Sequence, residues 1–226
     1  MKKQTRFTKI SSPVISNAAG LHATMLKTTL EWMNSEFDRY IGETEEGPWF
    51  YNERAVLGFF ISGLIRNGNA IVLQEFSCFR KTKQEQKETL GRADLYFKLK
   101  GFDYLVESKW CWTSVKERSG IEAAVKWARE ALSQAISYVK DAKVQKGTIF
   151  SLCFEAIAFT KKDFNDNYVE FINLWRIKRS DALGGLDFYS LIEVTPNVEH
   201  SWHYYDNLYF PAIAVYGVFN RNRKSI

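Results

Sequence analysis

Two runs that read as β-strands, Arg92 to Lys100 and Phe102 to Trp110, are separated only by Lys100-Gly101. Strand side chains alternate faces with a period of two, so the register of a hairpin decides which residues share a face. With a tight two-residue turn at Lys100-Gly101, Leu99 pairs with Phe102, and counting outward brings Asp94 opposite Glu107. Directly opposed residues hold their Cβ atoms roughly 5 Å apart. A three-residue turn with a bulge would shift that register by one. Charges on otherwise apolar strands need a physical reason, because burying an unpaired charge is costly.

Two carboxylates that close raise each other's pKa unless a cation lies between them. Mg²⁺ suits such a pair, since it takes one or two protein carboxylates and keeps waters and substrate oxygens. Glu107 and Lys109 project together, while Tyr104, Val106 and Ser108 face the opposite, packed side. Lys109 then lies where an ammonium can orient a metal-bound water and take up developing charge. The Ser108 carbonyl is available as a further hard oxygen ligand. The plain alternative is a cross-strand surface ion pair, which is worth little.

The helix expected over Ile121–Val139 carries Gln134 and Tyr138 four residues apart, on one face. Ala124, Trp127 and Ala131 lie near that face. Ile121, Val125, Ala128, Leu132, Ile136 and Val139 form an apolar set on another. A buried Gln and Tyr satisfied by backbone is the competing account. Pro48 is placed to open a helix over Trp49–Asn67. Glu53 falls in its first turns, where a carboxylate is favourable in any case. Glu75 lies inside a strand over Ala70–Phe79. Either Glu53 or Glu75 can supply a further acidic ligand, and the sequence leaves that choice open.

The remaining pattern predicts a helix over residues 17–40 capped by Ser16 or Asn17, an acidic turn from Gly42 to Gly47, and a central strand at Thr148–Thr160. A helix at Asp166–Lys178 and strands at Leu186–Thr195 and Leu208–Asn220 follow. The expected fold class is α/β, a mixed central β-sheet flanked by helices. Residues 1–226 form one domain, with a core over about 48–160, an N-terminal helical extension (1–47) and C-terminal helix and strands (161–226). The aromatic segment from Trp202 to Phe219 reads as core. An apolar content of 46% excludes a disordered chain. No apolar run is long enough to span a bilayer, and no apolar signal core follows the basic N-terminus, so a cytoplasmic protein is expected. Cys78, Cys111 and Cys153 are scattered, without disulfide or metal spacing.

A net charge of +5 and a pI near 9.0 suit a polyanionic partner. Basic residues cluster at Arg80, Lys81 and Lys83, at Arg92, at Lys116 and Arg118, and at Arg176, Lys178 and Arg179. The first six are candidate nucleic-acid contacts. His200, His203 and Asp206 lack the base that a zinc protease site needs. No glycine-rich phosphate loop is present.

Gly91-Arg92-Ala93-Asp94 resembles the Gly-x-x-Asp motif of the RecB-like branch of the PD-(D/E)XK nuclease superfamily. Glu107-Ser108-Lys109 resembles its Glu-x-Lys, Gln134 to Tyr138 its Gln-x-x-x-Tyr, and Glu53 the acidic residue of its early helix. The order of elements from Trp49 to about Thr160 is similar to the family core, so the resemblance covers roughly half the chain. It implies a restriction-endonuclease-like core in which Asp94 and Glu107 bind Mg²⁺ or Mn²⁺. Lys109 would assist the attacking water, and Gln134 and Tyr138 would contact nucleic acid or brace the site. Ala93 stands where the family often has proline. The implied activity is hydrolysis of DNA, with RNA left open, by the chain alone or with a partner protein or second copy.

Overall fold

The computed structural model of the protein describes residues 8–10, 13–16, 20, 22–44, 47–48, 51–80, 89–114, 120–138, 147–160, 169–170, 173, 185–194 and 208–220. Its strands are β1 (Thr8–Ile10), β2 (Val14–Ile15), β3 (Ile71–Arg80), β4 (Thr89–Leu99), β5 (Phe102–Ser114), β6 (Thr148–Thr160), β7 (Phe188–Val194) and β8 (Leu208–Gly217). The helices are α1 (His22–Thr44), α2 (Glu53–Gly68) and α3 (Gly120–Ser137). Seven strands run in the order β1-β7-β8-β6-β5-β4-β3, and β2 also pairs with β7. The pairings are antiparallel except β5 with β6. A parallel pair needs a crossover, which α3 supplies. The fold is α/β, a mixed sheet flanked by helices.

β6 lies at the middle of the sheet, and its residues from Ile149 to Phe159 are buried. A strand covered on both faces must read as a continuous apolar run, which is why Thr148–Thr160 was legible. The adjacent β5 residues Leu105 and Val106 belong to different clusters. Val106 packs with the α1–α2 core, whereas Leu105 packs with Ala135 and Tyr138 of α3. Both faces of the sheet are therefore covered.

The Lys100-Gly101 turn forms as expected. Leu99 pairs with Phe102, and the register holds out to Leu95 with Val106. Both turn residues have positive φ, 51° and 84°, as a two-residue turn matching the strand twist requires.

Several boundaries differ from expectation. Pro48 does not open α2. The helix starts at Glu53, where extended Asn52 accepts a hydrogen bond from the Ala55 N–H at 3.1 Å. A side-chain oxygen at the N-cap satisfies a donor that proline at Pro48 cannot reach. Ser16 does not cap α1. Its N–H and hydroxyl donate to Asp187 at 2.8 and 3.1 Å, extending the β2–β7 edge. Asn17 lies outside the described residues. α1 runs through Gly42 to Thr44, so these residues of the expected acidic turn are helical, and Glu45 and Glu46 lie outside the described residues.

On α3 the expected apolar set holds in part: Ala128 is buried and Val125 and Leu132 pack against the core, but Ile136 is 42% exposed, and Ala124, Ala131, Ala135 and Tyr138 are buried beside them. Small side chains let the helix approach β5 and β6 closely, and that contact outweighs the larger apolar residues beside it. Of the helix expected at Asp166–Lys178, only Val169, Glu170 and Asn173 are described, all helical. The aromatic C-terminal segment is core where described, with Phe210, Tyr216 and Phe219 buried. Residues Trp202 to Asn207 lie outside the described set, as do His200 and His203. Among the described residues no helix is long and apolar enough to cross a membrane.

Candidate active site

β4 and β5 separate beyond the Leu95–Val106 pair. β4 continues against β3 to Thr89, and β5 continues against β6 to Ser114. The sheet forks at that point, and the N-terminus of α2 lies at the fork. Such a divergence leaves backbone and side chains free to face a ligand, as at the switch points of other open sheets.

Asp94 stands at the fork. Ala93 packs with Leu105, Ala135 and Tyr138, while Leu95 packs with the α1–α2 core. In a regular strand these two residues would share a face, so the alternation breaks at Asp94. The β3–β4 ladder confirms the break. It passes from Gln74–Leu95 to Phe76–Ala93 without pairing Glu75 to Asp94, and Glu75 has φ 51°. A non-glycine residue held there costs about 1–3 kcal/mol.

The break corrects the expected face-to-face pair of Asp94 and Glu107. The Asp94 carboxylate instead accepts from the Ser108 N–H at 2.8 Å and from its hydroxyl at 3.1 Å. The Ser108 hydroxyl also meets the Glu53 carboxylate. Ser108 is 1% exposed, and it joins a strand carboxylate to a helix carboxylate. Of the two candidate extra acids, Glu53 is the one that joins Asp94. Glu75 is held instead by Arg54 at 2.6 Å and Arg92 at 3.6 Å. Asn52, Glu53, Arg54, Leu57, Glu75, Arg92, Asp94 and Ser108 line a cavity of about 310 Å³.

A second group starts from the other face of β5. Glu107 is 1% exposed, with its carboxylate 3.8 Å from the Lys109 ammonium. Lys109 donates to the Gln134 side-chain oxygen at 3.3 Å, and the Gln134 amide donates to the Tyr138 hydroxyl at 3.1 Å. The Gln134–Tyr138 pair is thus a brace that positions the lysine. Burial pushes the Cys153 thiol well up. Cys111 and Glu155 push it the same way, Lys109 opposes, and Glu53 adds to the rise.

The six expected residues therefore fall into two sets, Glu53 with Asp94 around Ser108, and Glu107 with Lys109, Gln134 and Tyr138. Among the described residues no three His, Cys, Asp or Glu side chains form a ready-made metal cage. Arg92 is exposed beside Glu75. Lys81, Lys83, Lys116 and Arg118 lie outside the described residues, as do the Arg80 side chain and Arg176, Lys178 and Arg179. Sequence reasoning missed Arg54 and the Ser108 hydroxyl. The adjacency of Arg54 to Glu53 was the only available signal for the first.

No protein-family model matches the chain, and no curated protein or solved structure matches it.

Proposed function

We propose that the protein is a divalent-metal-dependent nuclease of the PD-(D/E)XK kind, hydrolysing phosphodiester bonds of DNA. The observation that carries this reading is the fork in the sheet. It gathers Glu53 and Asp94 at one hydroxyl and leaves Lys109 braced by Gln134 and Tyr138 at the neighbouring position of the same strand. A structural ion pair needs no such meeting of carboxylates from α2 and β4 at one β5 hydroxyl, while α3 braces Lys109 from the other face of that strand.

The residues fit a hard cation. Glu53 and Asp94 offer only oxygen, and two carboxylates sharing one hydroxyl are a poor arrangement without a positive charge. They would hold Mg²⁺ or Mn²⁺, with the Ser108 carbonyl as a further oxygen. When bound, the ion would acidify a water and polarise a phosphoryl oxygen. Lys109, partly exposed, contributes a positive charge to the oxygens that become more negative as the phosphodiester opens. Gln134 and Tyr138 fix the ammonium, so little reorganisation is needed. Buried Glu107 faces the ammonium at 3.8 Å. The scattered cysteines, none in a disulfide, suit a reducing compartment, and a cytoplasmic location fits this reading.

The test is cleavage of circular and linear DNA, and of RNA, with Mg²⁺, Mn²⁺ or chelator. Metal-dependent cutting of DNA is expected, with Asp94→Ala and Lys109→Ala each lowering the rate by about 10²-fold or more. Intact DNA under all conditions, or cutting that survives both substitutions, would overturn the reading.

A further inference from the structure

The cavity at the fork is lined by groups of both signs. Glu53 and Asp94 meet at Ser108, and Arg54 and Arg92 line the same cavity. Between the arginines sits Glu75, 2.6 Å from Arg54 and 3.6 Å from Arg92. It comes from the β3 position that has left the ladder with a left-handed backbone. Strain of this kind persists where surrounding structure enforces it, and it concentrates at ligand clamps.

We propose that Arg54 and Arg92 are a phosphate clamp for the substrate backbone, and that Glu75 is an internal anion occupying the clamp until a phosphate displaces it. This rests on the nuclease reading for its substrate, but the clamp itself is an anion site that exists without metal. Both arginine side chains are more than half exposed, at 62% and 58%. Exposed ion pairs contribute little in water, so exchanging a carboxylate for a phosphate costs little. A phosphodiester presents two anionic oxygens, and guanidinium groups match them in bidentate geometry. Because the arginines and the carboxylates line one cavity, a diester held by the clamp lies close to Glu53 and Asp94. Arg54 and Arg92 act here as positioning residues, setting where the backbone lies relative to Glu53 and Asp94.

The test measures binding of a short fluorescein-labelled DNA duplex in chelator across a salt series, with cleavage in Mg²⁺ run in parallel. Arg54→Gln and Arg92→Gln should each weaken binding about tenfold and reduce the salt slope by about one. Glu75→Gln should tighten binding several-fold, because it frees both arginines, and Arg54→Lys should recover part of the lost affinity. A general structural role would move the arginine and Glu75 variants in the same direction, and that result overturns the clamp. Unchanged binding in all variants overturns it too. If wild-type protein cuts DNA while the arginine variants keep the wild-type KM and kcat, the clamp fails and the nuclease reading stands. If wild-type protein binds with the stated pattern of variants but never cuts, the clamp stands and the nuclease reading fails.

Discussion

Ser108 carries more of the site than its place inside Glu-x-Lys suggests. Its hydroxyl and N–H hold Asp94, and the same hydroxyl meets Glu53. Ser108→Ala would leave two carboxylates at the fork without the donor they share. On the nuclease reading, cleavage should fall about 10–100-fold, as when a group that orients metal ligands is removed. The fall should be smaller than for Asp94→Ala, and rates for both variants at saturating Mn²⁺ check this. The residues themselves were legible, because charge on apolar strands stands out. Their partners were not. Period-two counting puts Ser108 on the packed side, away from Glu107, and that holds. The break at Asp94, which turns its carboxylate to the Ser108 side, arises from an irregular β3–β4 pairing at Glu75 that no local sequence pattern announces.

The helical elements depend on close approach, most clearly where α1 crosses α2. Gly63 lies at the crossing, and a Cβ there would sit 2.5 Å from the Thr29 carbonyl oxygen and 3.0 Å from the Met33 nitrogen. Both are backbone atoms, so neither can rotate away. Gly58, in the same helix, has nothing within 4 Å of an added Cβ. Alanine gains about 1 kcal/mol over glycine in a helix interior. Overpacking a tight contact costs about 1–3 kcal/mol. Gly58→Ala should therefore raise Tm by a few degrees and Gly63→Ala lower it, with thermal unfolding as the measure. The same preference for closeness explains the α3 face. Apolar size drew the sequence reading to Ile136, whereas the helix buries its alanines. At the ends of elements, side-chain hydrogen bonds decided the outcome. Asn52 was able to cap α2 because its amide oxygen reaches the Ala55 N–H.

Across the whole molecule, the hairpin, the central strand and the presence of β3 to β8 were legible from periodicity and the turn, whereas β1 and β2 were not. Strands of three and two residues are too short to show alternation, and they exist because β7 offers an edge. His22 at the start of α1 ties that helix to the sheet. Its ring nitrogens lie 3.0 Å from the Tyr104 hydroxyl on β5 and 3.3 Å from the Thr148 hydroxyl on β6. The ring also stacks on Phe219 beyond β8, with centroids 5.6 Å apart. Burial lowers its pKa from the usual 6.5, so the folded protein prefers the neutral ring. Burial also pushes the Tyr104 hydroxyl up to about 12, so that partner stays protonated and brings no negative charge to favour an imidazolium. The unfolded chain binds a proton near pH 6.5 that the folded chain takes up only at lower pH. The stabilisation from neutral His22 is therefore complete above pH 6.5 and is lost as pH falls through the folded pKa. His22→Phe keeps the ring contacts and cannot titrate. The Tm of wild-type protein should fall more steeply than that of His22→Phe on going from pH 8 to pH 5, and parallel curves would show that this histidine does not link α1 to the sheet in a pH-dependent way.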